Sequence, residues 1–115
     1  MLVDADGNFP APAAQAAGFV LARMVADEVE LLLIAVRPEM RRQGVGRRLL
    51  ELFIADAAAK GAARVFLEMR SDNDAESLYR AMGFKPIGRR KGYYRTLSGT
   101  YIDAVTFARS VGRNP

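Results

Sequence analysis

The sequence predicts an α/β domain, or an α+β domain with a mixed sheet, from three observations. Residues 18–25 (GFVLARMV) and 29–36 (VELLLIAV) are apolar, partly β-branched runs separated by three polar or small residues, the pattern of an antiparallel hairpin. Residues 44–60 place Val45, Leu49, Leu52 and Phe53 on one helical face. Residues 64–69 (RVFLEM) then give another strand, so 29–69 is a strand-helix-strand unit with parallel neighbours and a right-handed crossover.

The elements follow in order. Residues 1–3 (MLV) suit the end of a strand. Residues 4–17 hold Gly7, Pro10 and Pro12 and run into alanines, which predicts a flexible loop, with the prolines excluding helix over 8–12. The run 29–36 is almost continuously apolar, so both of its faces are expected to be buried in a central strand that Pro38 ends. Leu50, Ile54 and Ala57 widen the apolar face of the first helix, and Gly61 stops it. Strand 64–69 carries a single carboxylate, Glu68. Residues 73–82 predict a short helix with Ala75, Leu78, Tyr79 and Met82 inward, Asn73 as N-cap, Glu76 three residues on and Gly83 closing it. Residues 84–88 and 101–108 read as a last strand pair joined by the basic, Tyr-containing stretch 89–100. The domain organisation is a strand remnant and loop over 1–17, a folded unit over 18–109 and a tail over 110–115.

Length and composition bound the chemistry. A chain of 115 residues, half of them apolar, makes one domain with a real core. Lys and Arg number 17 against 13 Asp and Glu, a net +4, which suits anionic partners as well as an ordinary solvated surface. The chain has no Cys and no His. That excludes disulfides, thiolate nucleophiles, Ser-His-Asp triads and the usual zinc sites, and no metal site is expected. No apolar run approaches the roughly eighteen residues of a membrane span. The N-terminus does not read as a secretory signal, so no membrane partner is expected and the cytoplasm is the default location.

The segment Arg41-Arg42-Gln43-Gly44-Val45-Gly46 follows a buried strand and opens a helix. A helix start has unpaired N–H groups and a partial positive charge, which together receive a diphosphate. Gly44 and Gly46 permit close approach of the ligand to the backbone, and Arg41, Arg42, Arg47 and Arg48 add charge. The bland alternative is a glycine turn before a helix with a solvated basic face. No Gly-Lys-Ser/Thr follows, so this is not a nucleoside-triphosphatase loop. Leu49 stands where a dinucleotide GxGxxG has its third small residue.

At these residues the sequence resembles the GCN5-related N-acetyltransferase (GNAT) family. The match is R-x-x-G-x-G at 41–46 after the strand ending Ile34-Ala35-Val36-Arg37-Pro38. Phe66-Leu67-Glu68-Met69-Arg70, Asn73, residues 78–84 (LYRAMGF), 89–94 (RRKGYY) and 99–104 (GTYIDA) resemble its ribosomal-protein-alanine N-acetyltransferase branch, and the likeness covers about 18–108. The resemblance implies a mixed, mostly antiparallel twisted sheet with helices on both faces. It implies acetyl-CoA as donor. The strand before the loop would splay from its neighbour, and amides of Ile34, Ala35 and Val36 would receive the cofactor, one of them polarising the thioester carbonyl. These three residues also suit a plain core strand. Arg41, Arg42, Gln43, Gly44, Val45, Gly46 and Arg47 would hold the pyrophosphate. Asn73 would touch the pantetheine arm, a role compatible with capping a helix. The family's usual N-terminal strand and helices, which line the acceptor side, are missing. A second copy of the chain covering the exposed N-terminal sheet edge as a homodimer is one explanation.

Without Cys or His, a covalent acetyl-enzyme is disfavoured, and direct attack in a ternary complex fits, with proximity carrying much of the catalysis. Glu68 is the candidate base, its pKa expected to rise by burial; the alternative is a structural carboxylate paired with Arg70 or a loop amide. Tyr79 is the candidate acid, since a phenol of pKa about 10 protonates a thiolate of pKa about 8.5; the alternative is core packing. An α-amine titrating near ~7.7–8.0 is neutral more often at pH 7 than a Lys near ~10.4, which agrees with a protein N-terminus as acceptor. Tyr93, Tyr94 and 89–95 shape an acceptor groove or form a solvated hairpin tip. A non-catalytic acyl-CoA-binding or sensing module is the second reading. A nucleic-acid-binding domain ranks last, for want of a stacking strand or reading helix.

Overall fold

The computed structural model describes residues 16–41 and 44–112, and the backbone alone of 2–4. Most of the loop expected over 4–17, together with Arg42, Gln43 and the end of the tail, lies outside the described residues. Six strands form one sheet: β1 (Leu2–Asp4), β2 (Ala16–Val25), β3 (Glu28–Val36), β4 (Arg64–Arg70), β5 (Lys85–Arg95) and β6 (Tyr101–Ser110). Their order is β1-β2-β3-β4-β6-β5, and every pairing is antiparallel except β3 with β4. Helix α1 (Val45–Ala59) makes the parallel crossover, and α2 (Glu76–Ala81) links β4 to β5. This is the mixed, mostly antiparallel sheet that the sequence implies.

The core is built by the periodicities read from the sequence. Val45, Leu49, Leu50, Phe53, Ile54 and Ala57 of α1 are buried, and Leu52 packs partly against them. They meet Val20 of β2, Val29 and Leu31 of β3, and Val65, Leu67 and Met69 of β4. Tyr79 of α2, Phe84 and Phe107 join the same cluster. Phe84, Phe107, Leu49, Leu50 and Val65 are completely enclosed, and each stabilises the fold by about 1.5–3 kcal/mol. Both helices thus contribute to one cluster, and the helices expected on a second face are not found among the described residues. On β2 and β3, Phe19, Leu21 and Leu33 remain exposed there.

Four expectations are corrected. Ala16 and Ala17 are buried strand residues, not loop: Arg37 N–H donates to the Ala17 carbonyl at 2.8 Å, and the Arg37 guanidinium to that of Ala16. Strand β3 is not buried on both faces, since Leu32 and Leu33 are 46% and 47% exposed. Helix α2 starts at Glu76, three residues late. Asn73 instead shapes the preceding turn, its Oδ1 accepting the Ala75 N–H at 2.8 Å, and Glu76 pairs with Arg80 at 2.8 Å rather than completing a capping box. Residues 89–95 are strand: β5 runs through Arg95, and the turn occupies 96–100.

Candidate active site

The site begins with a defect in β3. Leu21 of β2 pairs with Leu33 and Ala22 with Leu31, leaving Leu32 as an extra residue on β3. Such a bulge bends and twists its strand. The parallel pairing of β3 with β4 stops at the same point, Leu31 opposite Leu67. Beyond it the two strands part and a wedge opens between them. Alternation along an antiparallel pair assigns the backbone groups inside it. The Arg37 N–H points to β2, so that of Ala35 does too, and those of Ile34 and Val36 point into the wedge. Two of the three residues predicted to present amides therefore do so, and Ala35 is turned away.

Gly18 makes this arrangement fit. A Cβ there would lie 2.5 Å from the Ala35 carbonyl oxygen and 2.8 Å from Leu49 Cδ1, so only glycine lets β3 and α1 close over β2. Below the wedge, the chain turns through a 3-10 segment (Pro38–Met40) and Arg41 into α1. Gly44 is the N-cap of α1 with φ 79°, a conformation that L side chains rarely adopt. The first intrahelical bond is Arg48 N–H to Gly44 at 3.0 Å, which leaves the Val45, Gly46 and Arg47 amides without helical partners. Arg41 and Arg47 are exposed beside them. Gly46 is not required by packing: a Cβ there would make ordinary contact with Val36 Cγ2 at 3.8 Å. Of the residues predicted to form a diphosphate grip, Arg41, Gly44, Val45, Gly46 and Arg47 lie at or just before the start of α1, and Arg42 and Gln43 lie outside the described residues.

A cavity of about 370 Å³ lies in the wedge. Ile34, Glu68, Asn73, Tyr79 and Tyr94 line it together with Leu31, Leu32 and Leu33. Both catalytic candidates and Asn73 thus share one cavity with an amide-bearing stretch of β3. Tyr79 is held by the helix end: Gly83, at φ 90°, lets Phe84 N–H return to the Tyr79 carbonyl at 3.0 Å, and the two rings meet edge-on with centroids 5.8 Å apart. Burial pushes the Tyr79 phenol above its ordinary pKa.

Glu68 is not the isolated buried carboxylate expected from the sequence. Its side chain is 24% exposed, and its Oε2 lies 3.4 Å from Arg90 Nε. Arg70, the predicted partner, is held by Asp72 through two bonds of 3.1 and 2.9 Å. The reason is the length of β5, which carries Arg90 and Tyr94 across to the cavity. Tyr94 feels Glu68 directly: burial first, and then the carboxylate's charge, raise its phenol pKa. The sequence flagged 89–95 but not this contact; Gly92 inside a strand pattern was the available signal of a bulge that re-aims side chains.

Comparison with known proteins agrees with this geometry. The model of the Acetyltransferase (GNAT) family matches residues 4–84. The [ribosomal protein bS18]-alanine N-acetyltransferase of Escherichia coli (strain K12) is 41% identical over 93 residues, 80% of this chain and 62% of that protein. The N-alpha-acetyltransferase RimI of Mycobacterium tuberculosis is 44% identical over 93 residues, 80% of this chain and 55% of its own length. The chain thus spans about three-fifths of the curated relatives it matches. The crystal structure of the ribosomal-protein-S18-alanine N-acetyltransferase from Escherichia coli superposes with a TM-score of 0.81 at 33% identity, covering 96% of this chain and 76% of that one. By its splayed strands, its helix-opening glycine loop and this match, the chain belongs to the GNAT acetyltransferase family.

Proposed function

We propose that this chain transfers an acetyl group from acetyl-CoA to a protein N-terminal α-amine, of the alanine type named for its relatives, by direct attack in a ternary complex. The observation that carries the reading is the single cavity in which the β3 wedge, Glu68 and Tyr79 meet. The first-turn amides of α1 with Arg41 and Arg47, and with Arg42 and Gln43 next to them in sequence, hold the diphosphate of the donor. Ile34 and Val36 amides receive the pantetheine and polarise the thioester carbonyl. Asn73 keeps its side-chain NH₂ for the pantetheine while its oxygen serves the turn. Glu68, directly or through a water, takes the proton of the attacking amine, and Tyr79 protonates the departing thiolate. The raised phenol pKa keeps Tyr79 protonated throughout the neutral range.

The test uses an Ala-led peptide with acetyl-CoA and a thiol-reactive dye. The chain has no Cys, so every new thiol comes from the donor. Wild type is expected to release thiol and acetylate the peptide α-amine, and Glu68→Gln to lose about 10²–10⁴-fold in rate while still binding acetyl-CoA. Donor binding without thiol release, across a panel of N-terminal amines and Lys side chains, overturns the enzyme reading and leaves an acyl-CoA-binding module.

A further inference from the structure

Strand β5 carries a second irregularity, and one residue holds it. Arg90 pairs with Ala104 and Tyr94 with Ile102, so two extra residues bulge from β5 between those pairs. Gly92 sits in the bulge at φ 61°, and a Cβ there would touch the Tyr101 side chain at 3.5 Å. Opposite, on β6, Asp103 accepts the Gly92 N–H at 2.7 Å through Oδ1, and its Oδ2 pairs with the Arg89 guanidinium. One oxygen of this carboxylate thus holds the middle of the bulge and the other holds the strand just before it. The consequence lies on the cavity side. Arg90, 3.4 Å from Glu68, stacks over the Tyr93 ring at 4.8 Å, and the Tyr93 and Tyr94 rings meet edge-on at 5.2 Å. Tyr94 reaches the cavity wall. In a regular strand Arg90 and Tyr94 would share a face but stand four residues, roughly 13 Å, apart, and Tyr93 would face away from both; the two-residue bulge shortens that spacing and brings the three side chains together beside Glu68.

We propose that Asp103 is a positioning residue of the acetyl-transfer site, locking the β5 bulge so that Arg90 and Tyr94 stand over Glu68 on the acceptor side of the cavity. The inference rests on the acetyltransferase reading, and it separates the two sides of the site. The donor is held by β3 and α1, which Asp103 does not touch, so loosening the bulge acts on the acceptor and leaves donor binding alone. Removal of an ionic hydrogen bond of this kind corresponds to roughly a tenfold change in acceptor KM.

The experiment combines kinetics with a measurement that needs no turnover. Asp103→Ala is expected to raise the KM for an Ala-led peptide about tenfold and to leave the acetyl-CoA Kd within about twofold. Asp103→Asn, which keeps an oxygen for Gly92 N–H but loses the charge facing Arg89 and Lys91, is expected to fall between Ala and wild type. In ¹⁵N NMR spectra of the wild-type chain, the Gly92 amide is expected to titrate with the Asp103 carboxyl. Hydrogen bonding from Gly92 and pairing with Arg89 hold that midpoint below the usual carboxylate value. The titration is absent in Asp103→Asn. A Gly92 amide that ignores pH, or acceptor and donor affinities that fall together in Asp103→Ala, overturns the proposal. If the wild type transfers acetyl to no amine, the acetyltransferase reading fails, and the Gly92 titration alone then decides whether Asp103 locks the bulge.

Discussion

Two glycines that look alike in the sequence make opposite predictions. Gly18→Ala places a Cβ 2.5 Å from the Ala35 oxygen and 2.8 Å from Leu49 Cδ1. Neither neighbour can yield cheaply, since one is backbone paired with β2 and the other is completely enclosed. Overpacking of this kind costs about 1–3 kcal/mol, so the variant should melt roughly 5–15 °C lower. Because the strain falls on Ala35 and Val36, acetyl-CoA binding should weaken too. Gly46→Ala meets only Val36 Cγ2 at 3.8 Å, within the first turn of α1. Alanine there gains helix propensity of up to about 1 kcal/mol, so the free chain should melt at an unchanged or higher temperature. In the proposed function, however, the diphosphate approaches the backbone at Gly46, so with the added methyl acetyl-CoA affinity should drop about tenfold or more. Differential scanning calorimetry and isothermal titration calorimetry on both variants read the four outcomes. A Gly18→Ala melt within about 2 °C of wild type would refute the close-approach reasoning. Undiminished acetyl-CoA affinity in Gly46→Ala would refute the diphosphate grip.

Further predictions concern charge and protons. Tyr79→Phe should slow acetyl transfer about 10²-fold or more with little change in acetyl-CoA binding, seen in steady-state thiol release. In wild type the alkaline loss of rate that reports Tyr79 should fall above pH 10, because burial raises its pKa. The same shift makes stability flat with pH below about 10 and lets it decline as pH rises through the folded-state value, since the unfolded chain then loses the proton first. Urea unfolding at pH 9 and pH 11 measures this, and Tyr79→Phe should flatten the difference. Arg41→Ala should raise the acetyl-CoA dissociation constant severalfold and reduce its salt dependence, as expected for an exposed cation beside a diphosphate.

Periodicity made the scaffold legible. The helical stripe from Val45 to Ala57 predicted buried residues that the fold encloses, and the run 64–69 predicted a strand that is found as β4. Glycine punctuation at Gly44, Gly61 and Gly83 marked helix ends where the backbone takes positive φ. The candidates Glu68 and Tyr79, which line one cavity, stood out in the sequence because each interrupts or adorns an otherwise apolar element. What failed to show was irregularity. The Leu32 bulge leaves no mark in VELLLIAV, since an extra leucine in an apolar run changes no local propensity and only pairing reveals it. The run consequently looked like a strand buried on both faces, whereas half of it opens onto the cavity. The Glu68–Arg90 contact was equally hidden, because it spans two strands with β6 between them and depends on how far β5 extends. Asp103 entered the sequence reading only within the segment 99–104, and its grip on Gly92 and Arg89 exists only through the register of β5 with β6.

In the proposed function acetyl-CoA binding turns on the wedge, and a ¹⁵N NMR titration of the chain with acetyl-CoA tests it residue by residue. The Ile34 and Val36 amides, which face the space between β3 and β4, should shift strongly and saturate together with the Val45–Arg47 amides of α1. The Ala35 amide, committed to β2, should move little. Shifts as large at Ala35 as at its neighbours, or none along β3 while the chain still binds the donor, would contradict a site opened by the bulge at Leu32.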